Sequence, residues 1–320
     1  MASPLVSVIV CTYNRAALLG QCLQSLVAQT LATEHYEIIV VDNGSTDRTQ
    51  EVVHNFVQRH GTVRVVREPR LGLSHARNTG IRYARADYLA FIDDDARAFP
   101  DWVERIVAAF AETAPPPVVV GGRILPLYEH PPPGWFDDLY ETRGGGDAPV
   151  FLTSRWACYD VCGGNMAIEK RIALACGGFS PDLGLVGTQL RLGEDTDLVL
   201  RIYTQYAHIL YDPTLRVHHW VPSWKLHPLY YCWRGYRSGI AASRIEGTTL
   251  VSRKTAAALA RRLHALWSCL CRERRQCVPG SSLAVSQAGD NRRVSLTKRA
   301  VAWAVFLSIK AGQLRGAKVF

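Results

Sequence analysis

Four short apolar runs lie in the first 92 residues and are separated by segments of helix length. The runs are Val6–Cys11, Glu37–Val41, Val63–Val66 and Tyr88–Ile92. Between them, apolar residues recur at the spacing of one helix face. Consecutive parallel strands need such helical crossovers, and these are almost always right-handed. The pattern therefore predicts an α/β fold with a mainly parallel sheet flanked by helices.

Polar residues follow three of these runs at the point where each strand is expected to end. Thr12–Asn14 follow the first run, Asp42 follows the second, and Asp93–Asp95 follow the fourth. Ligand sites in open α/β sheets collect at the carboxyl ends of strands. Adjacent carboxylates repel one another unless a cation lies among them, and oxygen ligands suit Mg²⁺ or Mn²⁺. Read alone, the three aspartates fit either a divalent-cation site or a solvated acidic turn.

The loops after the first two runs lack the dinucleotide fingerprint Gly-x-Gly-x-x-Gly, and the chain contains no Gly-Lys-Ser/Thr phosphate loop. A nucleotide can still bind through other groups. An aromatic ring such as that of Tyr13 can stack on a base, and a divalent cation can bridge a diphosphate to the acidic loop. For Tyr13, base stacking and ordinary packing are equally open.

Composition and the N-terminus favour a cytoplasmic protein. No apolar run reaches the roughly 18 residues of a membrane-spanning helix. The first residues, Met1–Pro4, lead into a strand without a basic or apolar signal segment. The nine cysteines show no zinc spacing, so we expect buried free thiols in a reducing compartment.

The positive charge of the chain is concentrated near its C-terminus. Residues 251–320 contain 14 Lys and Arg against 2 Asp and Glu, whereas residues 1–250 contain 23 against 26. Apolar stripes around Trp267 and Trp303 are flanked there by basic residues. Such stripes suit an anionic membrane surface, and ordinary packing helices with solvated basic faces fit them as well. Nucleic acid is not expected as a partner, because the aromatic residues lie on the apolar stripes.

Five segments in a fixed order complete the pattern. They are Val8–Arg15 (VIVCTYNR), Val40–Asp47 (VVDNGSTD), Gly72–Gly80 (GLSHARNTG), Phe91–Asp95 (FIDDD) and Gly193–Leu198 (GEDTDL). In this order and spacing they resemble family 2 glycosyltransferases with a GT-A-type nucleotide-diphospho-sugar transferase fold.

The resemblance implies a domain organisation as well as a fold. A glycosyltransferase domain is expected over residues 1–222, with a nucleotide-binding half at 1–122 and an acceptor half at 123–222. A basic helical extension is expected over residues 223–320.

The resemblance also assigns residues to the donor and to a metal ion. A Mg²⁺ or Mn²⁺ ion on Asp95 and Asp93 would neutralise the diphosphate leaving group. His218 is expected as a further ligand, with His219 as the alternative, although such a pair is more often structural. Arg77 is expected, with Thr12 and Asp42, to hold the base and ribose. The implied donor-binding residues are Thr12, Tyr13, Asn14, Arg15, Asp42, Arg77, Asp93 and Asp94.

On the acceptor side, the resemblance implies a general base. Asp195 is expected to remove the proton of the acceptor hydroxyl, with Glu194 orienting it or the acceptor. The implied acceptor-binding residues are Gly163, Gly164 and Asn165. Trp135 is added because it lies in the long loop 125–150, which fits an acceptor-side lid or an inert insertion. Without the resemblance, Glu194 and Asp195 could equally be acids that stabilise the start of a helix through its dipole, and Arg77 could be a member of a surface ion pair.

The sequence therefore predicts an inverting, metal-dependent glycosyltransferase, cytoplasmic or peripheral on the cytoplasmic face of the membrane. It would move a sugar from a nucleotide-sugar donor, with UDP favoured, to a glycan or lipid-linked acceptor in polysaccharide or glycoconjugate biosynthesis. Two alternatives are a catalytically silent scaffold that binds nucleotide-sugar or membrane, and a nucleotidyltransferase. The intact acidic pairs argue against the first, and the absence of a Gly-rich basic loop after the first strand argues against the second.

Overall fold

The computed structural model describes residues 3–246 and, beyond them, positions 304, 305, 307, 308 and 311. Its internal contacts divide the chain into two compact units. The first comprises the residues up to Leu127 together with Glu141–Trp220, and the second comprises Tyr128–Tyr140 and the chain from Val221 onward. The sequence analysis expected one boundary, at 222/223. The structure also assigns Tyr128–Tyr140, expected in the acceptor half, to the second unit.

The N-terminal half of the first unit alternates strands and helices as the apolar runs predict. Its elements are β1 (Val6–Thr12), α1 (Ala16–Val27), β2 (Tyr36–Asp42), α2 (Thr49–Arg59), β3 (Val63–Arg67), α3 (Leu73–Tyr83) and β4 (Tyr88–Asp93). Strand β1 pairs in parallel with β2 and β4, and β2 pairs in parallel with β3. Strand β2 is buried along its whole length, as a strand with helices on both faces must be.

The elements after β4 complete the sheet with antiparallel strands. They are β5 (Ala96–Ala98), α4 (Trp102–Glu112), β6 (Val119–Tyr128), β7 (Val150–Phe151), β8 (Asn165–Glu169), α5 (Lys170–Ala175), α6 (Glu194–Tyr206) and β9 (Ile209–Val221). Strand β8 runs antiparallel to β4 and β6, and β9 runs antiparallel to β5 and β7. The sheet is therefore mixed, which corrects the expectation of a mainly parallel one. Strand direction depends on long-range pairing, which local patterns do not encode.

The order of the strands brings the predicted functional loops together. Among the described residues, nine strands form one sheet in the order β3-β2-β1-β4-β8-β6-β9-β5, with β7 beside β9. Within this sheet, Thr12 pairs with Asp42 across β1 and β2, and Cys11 pairs with Asp93 across β1 and β4. The C-terminal ends of three neighbouring strands thus lie side by side.

The second unit contains helix α7 (Pro228–Glu246), preceded by a short 3-10 turn at Ser223–Leu226. In the part of the chain that the structure describes, no helix combines the length and apolar character needed to cross a membrane. The membrane contact predicted for residues 251–320 falls outside the described residues except at the five positions named above. Of these, Ala304 and Leu307 are buried, so these two side chains pack against protein.

Gly80 tests the packing of α3 on β1. A Cβ at Gly80 would lie 2.4 Å from Cγ2 of Ile9, whose side chain is buried. We expect Gly80→Ala to lower the free energy of unfolding by about 1–3 kcal/mol, because overpacking a closed core forces side chains and backbone to shift. Gly61→Ala is the control, since a Cβ there meets nothing within 4 Å. Urea unfolding midpoints measure both variants, and equal midpoints would contradict this account of the packing.

Candidate active site

The turn between β4 and β5 carries the three aspartates. Asp93 ends β4, and Asp94 and Asp95 form the turn itself. Asp94 and Asp95 are buried, whereas the side chain of Asp93 is 39% exposed. Arg15, immediately before α1, reaches back to this turn. Its Nη1 lies 3.3 Å from Oδ1 of Asp94 and also contacts Oδ2 of Asp95. A guanidinium therefore balances part of the buried negative charge.

The turn remains short of positive charge. Burial raises the pKa of Asp94 to about 7, and the neighbouring Asp95 adds to this effect while Arg15 opposes it. Although burial lowers the pKa of Arg15, Asp95 and Asp94 raise it above its ordinary value, so the guanidinium stays charged. A site that disfavours the ionised form of one of its own acids gains from a further cation.

Arg77 connects this turn to a second acidic pair. Its side chain is 4% exposed. Nη2 donates to Oδ1 of Asp93 at 3.2 Å, and Nη1 donates to Oε1 of Glu194 at 2.7 Å. The guanidinium also lies over the ring of Phe179, 5.2 Å from its centroid. The structure places the guanidinium of Arg77 between two carboxylates of the protein, and its expected contact with the base and ribose stays a prediction.

Helix α6 begins with the second acidic pair. Burial raises the pKa of Glu194 to about 7, and Asp195 raises it further while Arg77 lowers it. The carboxylate of Asp195 accepts hydrogen bonds from two backbone groups, N–H of Gly163 at 2.8 Å and N–H of Thr196 at 2.7 Å. Oδ1 also accepts from Oγ1 of Thr196 at 3.4 Å. These bonds fix the orientation of the carboxylate, and Oδ2, which accepts from Gly163, keeps a second lone pair for another proton donor.

Gly163 and Gly164 allow the loop before β8 to pass against two charged side chains. A Cβ at Gly163 would lie 2.7 Å from Nη2 of Arg77, and a Cβ at Gly164 would lie 2.6 Å from Oδ2 of Asp93. Close backbone approach is the usual reason for paired glycines. The approach seen here is to the site's own charged groups, and the expected contact of these glycines with an acceptor stays a prediction.

Asn165 does not fit the acceptor role that the sequence analysis gave it. Its side chain has no exposed surface. Nδ2 donates to the carbonyl oxygens of Arg123 at 3.0 Å and Leu215 at 2.9 Å, and Oδ1 accepts from Nε1 of Trp102 at 2.8 Å. A buried amide with both N–H groups in use cannot also bind an acceptor, so Asn165 joins β6, β8, β9 and α4 instead.

Asn14 attaches the loop after β1 to the loop after β2. Its φ of 53° is a left-handed conformation that asparagine tolerates better than most residues. Its Oδ1 accepts from N–H of Thr46 at 2.7 Å, and its own N–H donates to Oγ of Ser45 at 3.0 Å. The two loops therefore form one surface at the end of the sheet.

Asp42 holds the loop after β2 in the shape that forms part of this surface. It is buried, and its carboxylate accepts from N–H of Ser45 at 2.9 Å and from Nε2 of Gln50 at 3.2 Å. Thr12 is buried beside it, and Tyr13 is half-buried. Contact of Thr12, Tyr13 and Asp42 with a nucleotide stays a prediction, and the structure gives Asp42 a role in loop shape as well.

His219, rather than His218, lies beside the aspartate turn. Nε2 of His219 is 3.7 Å from Oδ1 of Asp95, and Nδ1 is 3.5 Å from Oε2 of the buried Glu141. The ring of His218 stacks on Phe99 with the centroids 4.9 Å apart. Successive residues of a strand point to opposite faces of the sheet, so only one of these two histidines reaches the turn. His219 is therefore the better placed candidate ligand, and ligation by either histidine stays a prediction.

Trp135 lies in the second unit. Its ring packs against Phe136 and Tyr231 with centroids 5.4 Å and 6.4 Å apart. Its contact with an acceptor stays a prediction. The sequence analysis missed Glu141 and Phe179. No motif marks Glu141, whereas the paired glycines before Phe179 signal a turn that could have drawn attention to the aromatic residue.

The donor groups fit a divalent cation that arrives with a substrate. Within residues 3–246 and the five outlying positions, no three His, Cys, Asp or Glu side chains converge on a common metal position. Oδ1 of Asp95 and Nε2 of His219 do face each other. Ions such as Mg²⁺ commonly take only one or two protein carboxylates and complete their shell with substrate phosphates and water. A site with few protein ligands and excess negative charge matches that chemistry.

The two thiols near the acids are not nucleophiles. Burial raises the pKa of both Cys11 and Cys162 to about 12, and nearby carboxylates such as Asp93 add to the effect. Both side chains are therefore protonated at neutral pH. Covalent catalysis by a thiolate is disfavoured at these positions.

Comparison with known sequences gives one consistent result. The family described as glycosyl transferase family 2 matches residues 7–173. A glucosyl-dolichyl phosphate glucuronosyltransferase of Haloferax volcanii is 29% identical over 217 residues, which are 67% of this chain and 68% of that protein. A validoxylamine A glucosyltransferase of Streptomyces hygroscopicus subsp. jinggangensis is 45% identical over 164 residues, which are 48% of this chain and only 38% of that protein.

Solved structures show the same fold. The mannosyltransferase PcManGT from Pyrobaculum calidifontis, in complex with GDP-Man and Mn²⁺, is similar over 98% of this chain and 87% of its own, with a TM-score of 0.63 and 19% identity. Residues 1–349 of S. aureus TarS are similar over 97% of this chain and 90% of their own, with a TM-score of 0.53 and 16% identity. The GT-A-type α/β fold predicted from the sequence is confirmed.

Glu194 makes stability depend on pH. Its folded-state pKa of about 7 lies above the ordinary 4.5, so the folded protein holds a proton that the unfolded chain has already released. This stabilisation is fully present below the unfolded pKa and is lost as the pH rises through the folded one. We expect the free energy of unfolding of the wild type, minus that of Glu194→Gln, to fall by about 1–3 kcal/mol from pH 5 to pH 8.

Urea unfolding at several pH values measures this difference. Glu51→Gln is the control, because Glu51 lies on the surface in an ion pair with Arg48. A flat difference for Glu194→Gln, or an equal fall for Glu51→Gln, would contradict the assignment.

Proposed function

The chain belongs to glycosyl transferase family 2, and we propose that it moves a sugar from a nucleotide diphosphate to a hydroxyl group with inversion at the anomeric carbon. A UDP-sugar is the donor to test first. The acceptor is a glycan or a lipid-linked glycan, and the reaction belongs to polysaccharide or glycoconjugate biosynthesis.

The observation that carries the proposal is that two acidic groups lie on either side of Arg77 and have different surroundings. On one side, Asp93–Asp95 form a turn that is short of positive charge. On the other side, Asp195 is oriented by backbone N–H groups next to the glycine loop. A reaction that binds a diphosphate and also removes a proton needs both kinds of group.

Asp195 is the proposed general base. Its hydrogen bonds from Gly163 and Thr196 hold the carboxylate in place before an acceptor arrives. The acceptor hydroxyl gives its proton to Asp195, and its oxygen bonds to the anomeric carbon as the bond to the diphosphate oxygen breaks. Attack from the face opposite the leaving group inverts the configuration. Glu194 is buried and bound to Arg77, so it orients the site rather than taking the proton.

A divalent cation, Mg²⁺ or Mn²⁺, is part of the proposal. Asp95 and His219 would hold it, with Asp93 beside the diphosphate. Glu141 lies 3.5 Å from Nδ1 of His219 and favours the tautomer that leaves Nε2 as the ligand atom. When bound, such an ion neutralises the charge that develops on the leaving group. Arg15 contributes a fixed positive charge on the same turn.

The names of relatives support a sugar-bearing acceptor without fixing its type. The Haloferax volcanii relative is named for glucosyl-dolichyl phosphate, and the Streptomyces relative is named for validoxylamine A. An acceptor screen should therefore contain both polyprenyl-phosphate-linked sugars and free glycosides.

Replacement of Asp195 tests the proposed base. With a donor chosen by a thermal-shift panel of nucleotide-sugars with and without Mn²⁺, we expect Asp195→Asn to lower the transfer rate at least about 100-fold. Nucleotide binding should persist, because Asp195 is assigned to the acceptor side. Release of nucleotide diphosphate measures the rate.

Asp197→Asn is the matched control, because Asp197 lies in the same turn of α6 but pairs with Arg201, with Oδ2 to Nε at 3.0 Å. An equal loss in Asp197→Asn would remove the special role of Asp195. If the wild type neither transfers nor hydrolyses any nucleotide-sugar, a silent scaffold explains the chain better. Pyrophosphate release from a nucleoside triphosphate and a sugar phosphate would favour a nucleotidyltransferase.

Replacement of the two histidines tests the proposed metal ligand. We expect His219→Ala to raise the Mn²⁺ concentration needed for UDP binding at least about 10-fold. His218→Ala should stay close to the wild type, because its ring stacks on Phe99. Thermal shifts in a Mn²⁺ titration with UDP, each relative to the same variant without metal, measure the effect. A larger effect of His218→Ala would restore the original choice of ligand.

A further inference from the structure

Helix α7 and the turn before it expose three large apolar side chains. Trp224 is 65% exposed, Leu229 is 43% exposed and Trp233 is 47% exposed. Leu229 and Trp233 are four residues apart on α7, so they lie on the same face of the helix. Exposed apolar side chains that occur singly need no explanation, whereas a contiguous group indicates a binding surface.

These side chains form one continuous surface. The ring of Tyr230 contacts Trp224 on one side, with centroids 5.2 Å apart, and Trp233 on the other, with centroids 6.3 Å apart. We call the surface made by Trp224, Leu229, Tyr230 and Trp233 the aromatic face. It lies entirely within the second unit.

Helix α7 packs against other aromatic residues of the second unit through Tyr231. The helix buries Tyr231, which is 3% exposed. The ring of Tyr231 packs against Phe136 at 5.6 Å, Tyr140 at 4.8 Å and Trp135 at 6.4 Å between centroids. The ring of Tyr230 joins this cluster, 5.2 Å from that of Tyr231, while Trp224, Leu229 and Trp233 expose apolar surface to solvent.

Basic residues accompany the aromatic face. Between Val221 and Ile245 the chain contains four Lys or Arg residues and no Asp or Glu. Nζ of Lys225 lies 5.9 Å from the ring centroid of Trp224, and Arg237 follows Trp233 by one helical turn. The surface therefore combines large aromatic rings with positive charge.

We propose that the aromatic face binds the interface of an anionic lipid bilayer. Trp and Tyr rings favour the headgroup level of membranes, and neighbouring Lys and Arg side chains attract anionic headgroups. A helix that exposes apolar rings beside cations and is unable to span the bilayer fits a position in the plane of the interface. The proposal uses no residue of 251–320 and does not rest on the proposed transfer reaction.

A second copy of the chain fits this surface less well. A two-fold dimer places the same positively charged patch on both partners, so the interface would bring like charges close together. An anionic surface has the complementary charge. Charge complementarity is therefore the observation that selects a lipid surface as the partner.

Vesicle flotation with the full chain tests the proposal. We expect the wild type to float with vesicles of phosphatidylcholine containing 30% phosphatidylglycerol, and to do so far less with phosphatidylcholine alone. The double variant Trp224→Ser/Trp233→Ser should lose at least about tenfold in apparent affinity for the anionic vesicles, because it removes two aromatic side chains that binding would bury in the bilayer. Trp156→Ser is the matched control, since Trp156 is 70% exposed but belongs to the first unit.

A charge variant and a direct contact measurement complete the test. Lys225→Gln/Arg237→Gln should weaken binding to the anionic vesicles about tenfold, and 0.5 M salt should have a similar effect on the wild type. Brominated acyl chains should quench the tryptophan fluorescence of the bound wild type more strongly than that of the bound double variant, because the other six of the eight tryptophans are common to both.

Three results would overturn the proposal. The first is a wild type that does not float with anionic vesicles. The second is unchanged recovery of the double variant, which would assign binding to another part of the chain. The third is a double variant that changes from dimer to monomer by light scattering while its flotation is unchanged, which would assign the aromatic face to self-association. Loss of transfer activity alone bears on the proposed function and leaves the membrane contact unaffected.

Discussion

The buried guanidinium of Arg77 is the interaction on which the rest of the active site depends. It lies between Asp93 at the end of β4 and Glu194 at the start of α6, and nearly all of its surface is covered. The buried carboxylate of Glu194 loses its hydration, and the partly exposed carboxylate of Asp93 adds negative charge beside it, so a paired cation stabilises both. The position of α3 is therefore fixed by charge as well as by the contact of Gly80 with Ile9.

Two acids of the site, Asp94 and Glu194, are buried where their ionised forms are disfavoured, which is common in functional sites. Burial raises the pKa of both Asp94 and Glu194 to about 7, although Arg15 and Arg77 oppose this effect. A fold selected only for stability would replace such acids by apolar or exposed residues. The remaining negative charge is tolerable if the functional state brings a cation to the turn, which connects the electrostatics of the free protein with the chemistry proposed for it.

Much of the fold could be predicted from the sequence because its information is local. The apolar runs that became β1 to β4 and the helical spacing of α3 are readable within a few residues. The direction of β8 and β9 is not, since it depends on pairing between distant segments. The position of His219 could not be predicted for the same reason. Whether His218 or His219 lies beside the aspartate turn depends on which face of β9 each occupies, and therefore on how β9 pairs with β5. Asn165 directly follows two glycines and begins β8, and its burial depends on hydrogen bonds to distant residues such as Trp102, which the local sequence does not reveal.

Gly163 and Gly164 also limit how this chain could be diversified, by evolution or in the laboratory. A side chain at either position would enter the space of Arg77 or Asp93. Libraries aimed at new acceptors therefore have little freedom at these two positions. More freedom exists just upstream, where Trp156 is exposed while Cys158 and Val161 anchor the same segment in the core. Gly163 and Gly164 thus mark a boundary in the chain. The loop before them can change in sequence, whereas a side chain at either glycine would collide with the charged residues of the site.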